Sequence, residues 1–66
     1  LAGLSDRRAK EDIQRIGETD KGTPIYRYKY KGTDTWAIGV MADENQHAIK
    51  GYTETGMALV DYSKVA

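Results

Sequence analysis

Apolar and polar positions alternate most strictly from Ile25 to Lys31, where Tyr26, Tyr28 and Tyr30 share one face and Arg27, Lys29 and Lys31 the other. That period belongs to a strand with one covered face. Gly32-Thr33-Asp34 reads as a tight connection, and Trp36 to Ala42 is apolar on both faces, as expected of a central strand. The two segments predict a hairpin, and Gly39 within the second predicts a bulge or a close backbone approach. Upstream, Leu4, Ala9, Ile13 and Ile16 fall five, four and three residues apart among charged neighbours. This spacing predicts a short amphipathic helix over 5–18, capped by Ser5 or Asp6 and ended by Gly17. The same stretch also sets Lys10, Asp12 and Gln14 against Glu11, Ile13 and Arg15, so an extended edge strand is the alternative. Thr19 to Pro24 and Gly51 to Gly56 are turns by composition. Asp43 to Lys50 predicts one or two helical turns, and Met57 to Tyr62 a last strand. The fold expected is α+β: a small single domain of about three antiparallel strands with one or two short helices.

Length changes this picture. A chain of 66 residues buries only about 60% of its unfolded surface, so domains of this size commonly rely on disulfides, a metal or association. Cysteine is absent and there is a single histidine, which removes disulfides and leaves no zinc ligand set. Oligomerisation is the remaining device. Ten basic residues balance ten acidic ones, so no net field draws the chain to nucleic acid or an anionic membrane. No apolar run approaches the roughly 20 residues of a membrane-spanning helix, and no signal peptide is visible. Leu1 is not an initiator residue, so the chain reads as a processed product or part of something longer.

Candidate chemistry is sparse. The tyrosine strand, with its interleaved cations, suits a glycan- or nucleic-acid-binding platform, but also an ordinary strand packed on a core. His47 stands alone in a polar segment, and Asp43 and Glu44 are adjacent, which suits capping better than a carboxylate pair. Ser5 and Lys10 are a nucleophile and a base in principle, because a lysine of lowered pKa can take a serine proton. On one regular helix the five-residue step advances about 7.5 Å and about 140° around the axis, so the two side chains would not meet. A working pair needs an irregular N-terminal turn or a lysine from a neighbouring subunit. Taken alone, Ser5 is better explained as a helix cap.

The order of several short motifs adds to that reading: Ser5-Asp6-Arg7-Arg8-Ala9-Lys10, with Ile13 and Ile16; Pro24 to Gly32; Ile38 to Glu44; and Val60-Asp61-Tyr62-Ser63. This succession resembles the endosialidase-type intramolecular chaperone domain, the S74 peptidase family, found at the C-termini of phage tail fibres, tailspikes and neck appendages. The resemblance implies a homotrimer that holds the preceding segments of its own fibre chain in register and then cuts itself off, as a single-turnover serine endopeptidase with a Ser-Lys dyad. Carried over, Ser5 and Lys10 are the catalytic pair and Leu4–Ser5 the scissile bond. Residues 1–4 become a connector from the parent fibre and 5–66 the chaperone domain. No cofactor, nucleic acid or membrane is implied. The expected location is the virion tail or appendage, with the host cytoplasm during assembly. A retained, non-catalytic trimerisation or tip module is the alternative.

Overall fold

The computed structural model describes residues 2–66 and builds them into two three-stranded antiparallel sheets. Leu1 lies outside the described residues. The strands are β1 (Ala2–Leu4), β2 (Lys10–Glu18), β3 (Pro24–Tyr30), β4 (Trp36–Gly39), β5 (Ile49–Tyr52) and β6 (Ala58–Asp61). One sheet has the order β2-β3-β4 and the other β1-β6-β5.

The β3–β4 hairpin forms as the alternation predicts, with Tyr26 opposite Gly39, Tyr28 opposite Ala37 and Lys29 opposite Trp36. Tyr26 and Tyr28 are buried. On the other face the Arg27 guanidinium and the Lys29 ammonium lie 3.8 Å and 4.7 Å from the Trp36 ring centre. These cations therefore lie against an indole at the sheet's outer surface.

The helix predicted over 5–18 is not formed; the extended alternative is. Lys10–Glu18 pairs with β3 from Lys10 opposite Tyr30 to Glu18 opposite Pro24, with irregularities between Glu11 and Gln14 and between Arg15 and Gly17. A helix here would have offered only Ala9, Ile13 and Ile16 for burial. The strand satisfies its backbone on a partner fixed elsewhere in the chain and still seats Ile13 against Tyr26, Tyr28 and Met41. Asp12 adopts φ 54° within the first irregularity, a left-handed conformation that Asp tolerates better than most residues.

Among the described residues the only helical segments are 3-10 turns at Arg7–Ala9, Ala42–Glu44, Gln46–Ala48 and Tyr62–Lys64. The α-helical half of the α+β expectation is therefore replaced by a second sheet, and about three expected strands become six. Short β1 and β5 flank β6 and carry too few apolar residues for their period to stand out.

The segment expected to run as strand from Trp36 to Ala42 leaves the sheet at Gly39. Val40, Met41 and Ala42 stay buried and still alternate. Val40 and Ala42 join Ala48, Ala58 and Val60, whereas Met41 joins Tyr26 and Tyr28. This short run knits two small cores together. Its backbone groups are taken outside the strand ladder: the Val40 carbonyl by the Lys10 side chain, the Ala42 N–H by the Ser5 carbonyl and the Met41 carbonyl by the Asn45 side chain.

Candidate active site around Ser5

Ser5 follows directly on β1 and is fully buried. Its N–H donates to the Ala58 carbonyl at 3.1 Å, and its carbonyl accepts from the Ala42 N–H at 2.8 Å. Asp6 then turns the chain. One carboxylate oxygen accepts the Arg8 N–H at 2.9 Å and caps the Arg7–Ala9 turn; the other accepts the Ala58 N–H at 2.9 Å. Ala58 is thus gripped on both its peptide groups by consecutive residues. The Arg8 guanidinium, bonded to Asp6, is the main influence holding that carboxyl well below the usual range, while burial opposes it and the two backbone N–H groups assist.

The turn delivers Lys10 to the first position of β2, where it is only 3% exposed. Lys10 Nζ donates to the Val40 carbonyl at 2.8 Å and lies 3.9 Å from the centre of the Tyr28 ring. Burial, aided by the positive charge of Arg7, pushes the Lys10 amine down to about 8, against the opposing pull of Asp6 and Asp43. An amine with that pKa is partly neutral near pH 7 and can accept a proton.

Tyrosines fill the space around these two residues. The Ser5 and Tyr62 hydroxyls are 3.1 Å apart, and the Tyr30 hydroxyl donates to the Leu4 carbonyl at 2.5 Å. A longer contact of 3.5 Å joins the Tyr28 and Tyr30 hydroxyls. Tyr28 is wholly buried, and this burial, more than its tyrosine neighbours, keeps its hydroxyl protonated far above the ordinary range. Gly39 explains how the hydroxyls fit: a β-carbon there would come within 2.6 Å of both the Tyr28 and Tyr62 oxygens. Gly3 does the same for the Tyr62 ring, 2.8 Å from where its β-carbon would stand. The close approach predicted at Gly39 is made by two phenol oxygens.

Ser5 and Lys10, joined by an irregular turn rather than a helix, are both buried and meet different members of one tyrosine group, Ser5 against Tyr62 and Lys10 against Tyr28. Among the described residues they share no direct hydrogen bond: Ser5 Oγ is held by Tyr62 and Lys10 Nζ by Val40. The other candidates lie elsewhere. Asp43 pairs with Arg7 at 3.1 Å, and Glu44 accepts from the Tyr26 hydroxyl at 2.9 Å. Exposed His47 contacts the Lys64 carbonyl through Nε2. With Tyr28 at 1% exposure, its ring is closed to stacking by a base or sugar. Tyr30 and Tyr62 stood in the quoted motifs without a role, and nothing local to them indicates that their hydroxyls converge on Leu4 and Ser5.

Fold and site together define a small antiparallel β domain with a buried serine and a lysine of lowered pKa, set beside a peptide bond held on both sides. A family model described as Peptidase S74, chaperone of endosialidase, matches residues 5–57. The chain belongs to that family, and the match begins at Ser5. No curated protein and no solved structure gives a significant match.

Proposed function

We propose that this domain is a C-terminal intramolecular chaperone that assembles as a homotrimer, guides the folding of the preceding segments of a phage tail fibre or appendage, and releases itself by cutting Leu4–Ser5. Residues 1–4 then belong to the connector and 5–66 to the chaperone. Assembly takes place in the host cytoplasm, and the fibre ends in the virion. The observation that carries the reading is the position of Ser5: it opens the family match, is fully buried, and stands five residues before a buried lysine whose amine is pushed down to about 8.

The chemistry follows from those groups. Ser5 Oγ adds to the Leu4 carbonyl carbon through a five-membered ring while the neutral Lys10 amine takes the hydroxyl proton. The carbon–nitrogen bond then breaks, the proton passes to the Ser5 nitrogen, and Leu4 is left as an ester on Oγ. Water opens the ester, giving a Leu4 carboxylate and restoring the Ser5 hydroxyl. Ser5 Oγ and Lys10 Nζ must first exchange Tyr62 and Val40 for each other. We assign that rearrangement to trimer assembly, which makes the cut a checkpoint on folding.

Intact-mass measurement on the full-length polypeptide tests the cut. The wild type is expected to split at Leu4–Ser5, and Ser5→Ala and Lys10→Ala to stay whole; equal lengths for all three refute cleavage. Sedimentation tests assembly, with a stable folded monomer as the contrary result. One observation favours the retained, non-catalytic tip module instead: Ala2–Leu4 is itself a strand paired with β6, so the residues before the bond are part of the fold.

A further inference from the structure

The carbonyl of Leu4 has an unusual partner. It closes β1, in the β1-β6-β5 sheet, yet it accepts a hydrogen bond from Tyr30, the last residue of β3 in the other sheet, at 2.5 Å. A phenol has one proton to donate. Here the carbonyl is its close acceptor, and the Tyr28 oxygen, 3.5 Å away, is placed to donate into Tyr30 in turn. On the other side of the same peptide unit, the Ser5 N–H is fixed on the Ala58 carbonyl at 3.1 Å. The peptide plane is pinned at both its oxygen and its nitrogen, with the Ser5 hydroxyl held separately by Tyr62 at 3.1 Å.

We propose that Tyr30 is a catalytic residue of the Leu4–Ser5 cleavage, its hydroxyl binding the Leu4 oxygen as negative charge develops there. The inference rests on the cleavage reading above and adds the group that this reading lacks. When Ser5 Oγ bonds to the Leu4 carbon, the carbonyl electron pair moves onto oxygen, and it returns as the carbon–nitrogen bond breaks. The same oxygen becomes negative again when water adds to the ester. Both tetrahedral intermediates place their charge on the one atom that Tyr30 already touches. A donor positioned in advance in a water-poor site acts most strongly on such charge, because nothing must reorganise during reaction. Neither Lys10, on the Val40 carbonyl, nor Tyr62, on Ser5 Oγ, occupies that place.

The test compares cleavage time courses of the full-length polypeptide by intact mass. Tyr30→Phe keeps the ring and removes the donor; it is expected to slow cleavage by about 100-fold or more. A second measurement keeps shape and hydroxyl: fluorotyrosines of graded acidity placed at position 30 should cut faster as the phenol becomes more acidic, at pH values where it stays protonated. A hydroxyl that only satisfies the Leu4 carbonyl in the resting fold would show no such gradient. Wild-type speed in Tyr30→Phe, or a flat fluorotyrosine series, overturns the role of Tyr30 while leaving Ser5 and Lys10 in place. A wild-type polypeptide that stays whole overturns the cleavage reading and this inference together.

Discussion

Asp6→Asn should destabilise the domain far more than a surface substitution, for a reason that can be counted in oxygens. The carboxylate presents two, and each serves a backbone N–H: Arg8 on one and Ala58 on the other, both at 2.9 Å. An amide has a single acceptor oxygen, so one of those N–H groups must face an NH2. Leaving a buried donor unmatched costs about 1–3 kcal/mol. The ion pair with Arg8 adds little, because the Arg8 side chain is 67% exposed and screened by water. We expect Asp6→Asn to lose about 2 kcal/mol, a fall in melting temperature on the order of 10 °C for a chain of this size. Arg8→Ala should lose clearly less. The assay is thermal unfolding by circular dichroism at one protein concentration, repeated from pH 7 to pH 2. Because folding lowers the Asp6 pKa, its stabilisation is fully present above the unfolded value, about 3.9, and is lost as pH falls through the lower folded value. The gap between wild type and Asp6→Asn should therefore be constant above about pH 5 and narrow below about pH 4. A gap under about 0.5 kcal/mol at pH 7 would refute the reasoning, since that is the scatter of ordinary surface changes. So would a gap that does not change down to pH 2.

Four further predictions concern the same region and its neighbouring strand. With the Lys10 amine at about 8, the cleavage rate should climb about tenfold per pH unit below that value and level above it; a flat profile from pH 6 to 9.5 removes Lys10 as the base. The lowered pKa also means that the unfolded chain binds more protons between about 8 and 10.5, so wild-type stability should rise with pH across that window, a slope that Lys10→Met should lack in urea titrations. Gly39→Ala should cost about 1–3 kcal/mol in urea unfolding by displacing the Tyr28 and Tyr62 hydroxyls; wild-type stability would show that both rings yield freely. At Asp12, with φ 54°, a β-branched replacement is strained, so Asp12→Val should lose about 1–2 kcal/mol more than Asp12→Gly by the same measurement; equal losses contradict it.

The tyrosine hairpin was legible because its alternation is local and its two strands are adjacent in the chain. Segment 5–18 was not, because its form is decided by pairing with β3: the ladder from Tyr30 to Pro24 outweighs the weak helical spacing of Ala9, Ile13 and Ile16. The central strand expected over Trp36 to Ala42 is instead an edge strand with Trp36 and Ile38 exposed, and only 39–42 are buried. The departure from the sheet at Gly39 depends on Lys10, Ser5 and Asn45 claiming the backbone groups of that run. The same limit applies around Ser5. Motif order singled out Ser5 and Lys10, and the pairwise geometry called for either an irregular turn or a lysine from a neighbouring subunit. That Tyr30 reaches Leu4 across the gap between two sheets, and that Gly3 and Gly39 leave room for Tyr62, follows only once both sheets are packed.

Strand β1 separates two events that self-cleavage would otherwise seem to join. Ala2, Gly3 and Leu4 precede the Leu4–Ser5 bond, yet they pair with Asp61, Val60 and Leu59. Hydrolysis would change ownership of that strand without undoing its ladder or lifting Gly3 from the Tyr62 ring. On the cleavage reading, a severed domain would remain clasped to its former chain, and if it assembles as the proposed trimer three such clasps would act together and release slowly. On that reading, severing would be timed by chemistry, and departure by the opening of the β1–β6 ladder.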